Sequence, residues 1–498
     1  MTRNHHKERR SKTTPGQLRP PRVKAEYLDE PSVGFGGGRE HVDQKMGITL
    51  FGPQSLEQQR HPESVKLGFV GSGQSIGSAR EWIDSCLHGV EGDADHFRFP
   101  GFSEELGFFS NIQCGNDWVD TITQHELDTL EKTRLYKDRF ALALGMVADK
   151  VRLLSRKDRP PDIVILALPD ELLKHCQTVD YVDPTLGTVH RDFRLALKAE
   201  LMKYQVPTQI LLQRTTEATP HSRQVDHKSK CAWNFFTGLY FKAGGVPWVP
   251  LSLRPGTCYV GVSFYRPIGS LQSSNIRASL AQAFDEHGEG LVLRGPEFVW
   301  DEKEQGRSPH LSHTQAGELL SKVLKQYEDW MGQKPSRVVV HKSSRFWDGE
   351  RVGFAEALKQ TGVSHYDFVS VHSTSELRLL RAGKYPVLRG TYFTLSDIHF
   401  LYTTGFIPAR NAYPYGHVPS PLQVADHIGD SAIQDILKEI LVLTKMNWNS
   451  AGFAISQPIT LRFSRLVGDI LKEIPADREP LPQFKFYIRP WRAPIDAE

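Results

Sequence analysis

Short apolar runs alternate with amphipathic stretches from about residue 65 onward. Residues 65–70 (VKLGFV) and 163–168 (IVILAL) have the apolar density of strands, whereas 78–87 and the stretch around Glu171-Leu172-Leu173 have helical character. Residues 191–204 predict a helix with apolar positions at Leu195, Leu197 and Leu201, and 208–212 (TQILL) a further strand. A second series follows. It comprises a strand over 257–264 (TCYVGVSF), another over 290–293, a long helix over 312–331 and a strand over 338–340. The long helix sets Leu319, Leu320, Val323, Leu324 and Tyr327 on one side and charges on the other. Strands that alternate with helices need crossover connections, which predicts mostly parallel sheets. The Pro and Gly residues of 247–256 mark a connector, so the pattern predicts two α/β domains in tandem, dividing near residue 255.

Composition changes this picture little. The 498 residues accommodate two or three domains, and 39% hydrophobic with 24% charged residues is an ordinary globular balance. A net charge of +3 argues for a nucleic-acid partner only where the charge is clustered. The cysteines (Cys86, Cys114, Cys176, Cys231 and Cys258) are odd in number and never form a CxxC pair. That argues against a disulfide framework or a thiolate zinc site and fits a reducing cytoplasm. No run is long and apolar enough to span a bilayer, and no apolar stretch follows the basic opening MTRNHHKERRSK, so neither a membrane span nor a signal peptide is expected. Residues 1–24 read as a flexible basic arm, able to touch phosphates or simply to remain solvated.

Two regions compete for a chemical role. Gly71-Ser72-Gly73-Gln74-Ser75-Ile76-Gly77 follows a strand and opens a helix, which invites a dinucleotide-binding reading. Its third glycine falls one residue late for GxGxxG, and no clear acidic residue ends a second strand about 20 positions on. A tight strand-to-helix turn with a serine-rich helix start describes it better. Residues 190–248 carry more. His190, Arg194 and Lys198 recur at four-residue intervals, which would set them on one helix face. Pro207-Thr208-Gln209 begins a strand, and 234–248 (NFFTGLYFKAGGVPW) predicts a helix with a glycine end. A terminal phosphate brings roughly two negative charges and needs convergent cationic and amide donors. His, Arg, Lys, Gln and Asn supply that inventory. Plainer roles are open to the same residues: Asn234 as a helix cap, Lys242 as a complement to a helix C-terminus, Arg194 and Lys198 as solvated charges.

The 234–248 string also resembles the MID signature of Argonaute proteins, a helix that begins with Asn and ends in Lys followed by Gly-Gly. The preceding PTQ is similar to the family's strand carrying a guide-contacting Gln. Tyr27-Leu28-Asp29-Glu30-Pro31, then Gly34-Phe35-Gly36-Gly37-Gly38 leading to Gly52-Pro53, are similar to the opening of short prokaryotic Argonautes, as is Ser308-Pro309-His310 before the long helix. The resemblance covers the chain from about residue 25, with its separated motifs in order. It implies an N-terminal segment and Rossmann-like MID domain over 25–255, then an RNase H-like PIWI domain over 256–498. By this resemblance Gln209, Asn234 and Lys242 match positions that contact the guide 5′ end. His190 and Arg194 match an aromatic-or-His and a basic position upstream, with Lys198 as an alternate for the second. Gly238 departs from the pattern, because many relatives place another Lys there.

Active PIWI domains hold two divalent metals with Asp and Glu, since hard cations take anionic oxygen ligands and one metal must activate a water. The resemblance sets the first acid at Ser263 and the second at Ser343, both neutral hydroxyls. The last ligand belongs after Asn447-Trp448-Asn449, where 457–465 (QPITLRFSR) has neither acid nor His. Asp348 falls five residues late and Asp469 lies a turn further along. No catalytic residue is therefore expected, and target cleavage is not.

What this half keeps is a nucleic-acid channel. Its cations are Lys342, Arg345, Arg410, Arg462 and Arg465, with Arg378, Arg381, Lys384, Arg389, Arg489 and Arg492. Phe346, Trp347, Tyr413, Tyr415, Trp448 and Trp491 are interleaved as stacking faces. Singly, each cation is more often solvated and each Trp more often core. The resemblance implies a 5′-phosphorylated guide RNA, a complementary single-stranded DNA target and a partner with an Argonaute-associated (APAZ) domain. That partner would form a heterodimer and carry a TIR-like, sirtuin-like or nuclease effector, acting in defence against plasmids or phage. In some relatives a Mg²⁺ ion bridges the guide phosphate and the terminal carboxylate, here that of Glu498. Two rival readings are an active nuclease using Asp348 and Asp469, and a nucleotide-binding enzyme built on residues 71–77.

Overall fold

A computed structural model describes residues 23–487 apart from 185–186, 219–224, 267–274, 286–288, 301–302, 304–305, 307, 375, 414–416, 475–477 and 479. Nearly all of the expected basic arm, together with Tyr415, Arg489, Trp491, Arg492 and Glu498, lies outside the described residues.

Every residue of Ile163–Ala167 is buried, as an unbroken apolar run requires of a strand covered on both faces. It lies between Ser64–Gly71 and Thr208–Ile210, parallel to both. Asn111–Gln113 and Val119–Thr121 extend this sheet, parallel to the other edge of Ser64–Gly71. The chain thus leaves Ser64–Gly71 in both directions, the arrangement that opens a crevice at strand ends in α/β folds. A Cβ at Gly71 would sit 2.1 Å from the carbonyl oxygen of Ala167, and the Ser75 hydroxyl donates to that oxygen at 2.5 Å. Ser72 caps the helix Gly73–Leu87 by accepting from the Ser75 amide. Gly71 serves a close crossing of the strand with its neighbour.

Two predicted helix starts shift. Thr178–Asp183 and Gly187–Asp192 form an antiparallel hairpin, and Asp192 caps the helix Phe193–Leu201 by accepting from the amides of Arg194 and Leu195. His190 therefore lies on a strand and not on one helix face with Arg194 and Lys198. It is exposed and pairs at 2.6 Å with Asp180 across the hairpin. The helix Lys228–Lys242 is capped by His227, so Asn234 lies within it and does not cap it. From Cys231 onward every residue of that helix is buried, which removes the polar face a sequence reader needs to find its start.

The second sheet has nine strands, in the order Ala25–Tyr27, Thr391–Leu395, Ile398–Leu401, Leu422–Gly429, His365–Ser373, Arg337–Lys342, Thr257–Tyr265, Asn275–Phe284 and Gly290–Val299. Arg337–Lys342 runs parallel to both of its neighbours, and the remaining pairings are antiparallel. Helices His313–Met331 and Asp348–Thr361 cover the face bearing Cys258, Val260 and Val262. Helices Ile433–Leu443 and Ile459–Leu471 cover the opposite face, with Tyr259, Val339 and Val369. The long helix is fixed at both ends, by a capping box between Ser312 and Gln315 and by Gly332 in the left-handed conformation (φ 70°).

The opening strand Ala25–Tyr27 belongs to the edge of this second sheet, paired with Thr391–Leu395, and not to the first sheet that follows it in sequence. Beyond it the Glu30 carboxylate is buried between Arg389 (2.8 Å) and Lys445 (2.9 Å). Val33–Gly34 then pairs with Val249–Pro250 in the connector. A three-residue strand has too short a pattern to be found by periodicity, which is why the sequence does not show this pairing. Among the described residues no helix is long and apolar enough to cross a membrane.

Candidate functional site

Gln209, Asn234, Lys242 and Lys198 are all buried, and three elements bring them together. Gln209 lies on Thr208–Ile210; Asn234 and Lys242 lie two helical repeats apart on Lys228–Lys242; Lys198 lies on Phe193–Leu201. The Lys242 ammonium donates to the Thr208 carbonyl at 3.0 Å and to Oε1 of Gln209 at 2.7 Å. The Gln209 amide NH₂ donates to the Phe235 carbonyl at 3.1 Å, and Oδ1 of Asn234 accepts from the Ala451 amide at 3.2 Å. Lys242 is held well below the ordinary lysine pKa, first by burial and then by the neighbouring charge of Lys198.

Both of these Lys242 hydrogen bonds go to neutral oxygens. Half-buried Arg194 and Gln209 line a narrow cleft with Thr215 and Phe235. Trp82, Thr215 and Cys231 are shared with a wider cleft of about 730 Å³, bordered also by Ser85 and Lys228. Sequence reading missed Trp82, Thr215 and Lys228, which come from separate segments and carry no spacing signal. The narrow cleft suits an anion, while the wide one carries Glu81, Glu217 and Asp226 beside Lys228.

The two serines expected at nuclease positions lie at neighbouring strand ends. Thr257–Tyr265 pairs with Arg337–Lys342 in a parallel register that ends at Val262 beside Lys342. Ser263 is the next residue of its strand and Ser343 follows the end of the other. Strand alternation turns Ser263 to the same face as Gly261, toward the Ile459–Leu471 helix. Gly261 passes under Thr460 so closely that a Cβ would lie 2.3 Å from its carbonyl oxygen, and Nδ1 of His341 lies 2.8 Å from the Thr460 hydroxyl. Ser263 is buried and Ser343 exposed. Nearby, Gln457 donates to the Ser373 hydroxyl at 3.0 Å. Asp348 is highly exposed and pairs with Arg351, while Asp469 pairs with Lys472 on its own helix.

No protein-family model matches the chain. The Argonaute protein of Thermus thermophilus is 27% identical over 304 residues, which covers 58% of this chain and 39% of that protein. The structure of Clostridium butyricum Argonaute bound to a guide DNA and a 19-mer target DNA superposes with a TM-score of 0.64 at 15% identity. That match covers 93% of this chain and 54% of the other. Drosophila Piwi superposes with a TM-score of 0.58 at 12% identity, over 93% of this chain and 56% of its own. The chain is similar to Argonaute and PIWI proteins. It has the mixed α/β fold of their MID–PIWI structures and spans roughly half or less of the length of these relatives.

In this Argonaute-like frame the expected channel residues divide. Lys342 is fully buried in an ion pair with Glu350 at 2.6 Å, between the rings of Phe264 and Phe346. It has no surface to offer a phosphate, and it is withdrawn from the channel. Arg410 pairs with Asp43, and Arg389 is enclosed by Glu30, Thr403 and Thr444. Phe346 and Trp448 are core, the latter packed on Phe241 at 4.7 Å between ring centroids. Arg345, Arg462 and Arg465 are exposed and form no ion pair among the described residues. Trp347 is 46% exposed and stacks on His310 at 4.1 Å.

Proposed function

We propose that this chain is a short Argonaute of the prokaryotic type that binds rather than cuts. It holds a 5′-phosphorylated small RNA guide, pairs the guide with complementary single-stranded DNA, and passes recognition to an associated effector protein in defence against plasmids or phage. The observation that carries this reading is the buried Lys198, Gln209 and Lys242 group, in which both Lys242 hydrogen bonds go to the neutral oxygens of Thr208 and Gln209 and the charge of Lys198 lies close by. An anion that joined this group would meet cationic and amide donors together. The adjoining wide cleft would take the first nucleotide. Sequence specificity would then come from base pairing, with the protein contacting backbone and shape.

The two-metal chemistry of a PIWI nuclease needs several carboxylates. Ser263 and Ser343 supply neutral oxygens where two of them are expected, so this chain's own output is binding. An effector activity would have to reside in a partner carrying an APAZ-type domain. A Mg²⁺ ion beside the guide phosphate would need the terminal carboxylate as its anionic ligand. Lys198 and Lys242 would neutralise the phosphate; Glu498 lies outside the described residues.

The test is equilibrium binding of matched RNA and DNA guides with and without a 5′-phosphate, followed by capture of complementary DNA. Preference for the phosphorylated RNA guide, and target capture only after loading, is expected. Indifference to the phosphate would overturn the reading.

A further inference from the structure

The geometry points to a transition-metal site, of the class that takes Zn²⁺, formed by Asp93, His96 and His227 at the entry to the Lys228–Lys242 helix. The ligand atoms of the three side chains all lie within 4.8 Å of one another. Oδ1 of Asp93 is 2.8 Å from Nδ1 of His96, and Oδ2 is 3.8 Å from Nε2 of His227. The two imidazole rings are stacked, 4.7 Å apart at 11°, so one of them must turn for both ring nitrogens to point at a single ion. Tetrahedral coordination with bonds of about 2.0–2.1 Å separates ligand atoms by roughly 3.3 Å, so the three ligand atoms, now within 4.8 Å of one another, would draw in by side-chain rotation. Two imidazoles and a carboxylate suit Zn²⁺ or Co²⁺ and not Mg²⁺ or Ca²⁺, which take oxygen sets. All three side chains retain 30–48% exposure, so an ion can enter and water can complete its shell.

Each ligand is held by a rigid support. Val90 and Phe99 pair across the base of a loop, and the Asp93 amide donates to the His96 carbonyl at 2.9 Å near its tip. Gly92 runs so close to that carbonyl that a Cβ would lie 2.1 Å away, which fixes a tight crossing. Oδ1 of Asp93 accepts from the amides of Asp95 and His96 at 2.9 and 2.7 Å. The loop packs on the helix through Phe99 against Trp233 (5.2 Å), whose indole N–H donates to the Arg98 carbonyl at 3.1 Å. His227 caps the helix through Nδ1, which leaves Nε2 facing Asp93. A metal on Nε2 would move the ring proton to Nδ1, so binding exchanges the cap on the Ser229 amide for donation to the Ser229 hydroxyl, 3.0 Å away. The bound ion would clamp the 90–99 loop to the first turn of the helix that further on carries Asn234 and Lys242. This inference does not rest on guide binding.

The experiment uses the full chain with His5→Asn, His6→Asn and Cys114→Ser, so that other exposed donors do not report. Co²⁺ is titrated in and followed by its visible absorption, then displaced by Zn²⁺. One Co²⁺ per chain, displacement by one Zn²⁺ and a rise in melting temperature with Zn²⁺ are expected. Asp93→Asn and His96→Asn, each folded by circular dichroism, should each lower the affinity at least about tenfold. His96 caps nothing, so its variant keeps the test valid if Asp93→Asn fails to fold. Absence of a one-to-one complex, or the same affinity in a folded variant, would overturn the site.

Discussion

Nζ of Lys242 lies 2.7 Å from Oε1 of Gln209, with both side chains buried. Each satisfies the other in the ligand-free protein, so the pair is set in place before any phosphate arrives. An incoming anion needs only to accept from donors already aligned, which lowers the ordering cost of binding.

Lys242→Ala combined with Gln209→Ala is expected to weaken binding of a 5′-phosphorylated guide by at least about tenfold, the scale of a lost charge-assisted hydrogen bond. Binding of the 5′-hydroxyl guide should change much less. Fluorescence anisotropy with both guides measures the difference; equal losses would assign these residues to the fold alone.

Gly238 lies between Asn234 and Lys242 on the same helix, and a Cβ there would meet nothing nearer than Oε1 of Gln209 at 3.6 Å. Gly238→Ala should therefore stabilise the protein by about 0.5–1 kcal/mol in chemical denaturation, the ordinary gain for replacing a helix-interior glycine. Destabilisation would mean that the wall beside Gln209 is tighter than the geometry indicates.

His341 is completely buried, and its pKa is pushed down to about 3 by burial and then by Arg337. In the unfolded chain the same ring titrates near 6.5. Between these values the unfolded state binds a proton that the folded state refuses, so stability falls as pH drops from about 6.5 toward 3 and levels off below. His341→Gln should remove up to about 1.4 kcal/mol per pH unit of that slope. Melting curves across pH 4–7 would show it; an unchanged slope in the variant would contradict the assignment.

Arg337 is buried between Asp367 (2.7 Å) and Glu439 (2.5 Å). Burial raises the Asp367 pKa, but hydrogen bonds from His427, Ser431 and Arg337 outweigh it and hold it at about 2. Arg337→Met leaves two buried carboxylates without their cation and should cost about 3–5 kcal/mol. Urea unfolding reads this directly, and a loss below about 1 kcal/mol would show that the carboxylates find other partners.

Guide-loaded protein mixed with labelled complementary target and Mg²⁺ or Mn²⁺ should leave the target intact. Cleavage opposite the middle of the guide, abolished by Asp348→Ala, would instead establish an active nuclease with displaced acids.

The sequence made the long elements legible because their periodicity or apolar density is strong. The helix ending at Met331 and the strands 163–167 and 337–342 are examples. It also placed Gln209 and Lys242 in one group. It failed where the information is tertiary. Nothing in HxxxRxxxK distinguishes a helix from a hairpin that runs into a helix, so His190 was set on the wrong element. The helix Lys228–Lys242 is buried throughout from Cys231 and offers no alternating polar face there, which set its expected start at Asn234. Lys342 reads like any surface lysine until Glu350, eight residues on, is seen beneath it. The metal-type cluster joins Asp93 and His96 to a His far along the chain, a pairing no spacing rule predicts.

The strand Ala25–Tyr27 is made before almost everything else described, yet it pairs with a strand near residue 391, and Glu30 beside it neutralises Arg389 and Lys445. The beginning of the polypeptide must therefore wait for its end. Such non-local closure slows folding, and it couples the halves: a fragment starting at residue 256 would carry two buried cations with no counter-ion and an uncovered sheet edge. Expressing the two halves separately should yield aggregation rather than two working domains, and mixing them should recover the protein only if the first thirty residues travel with one of them.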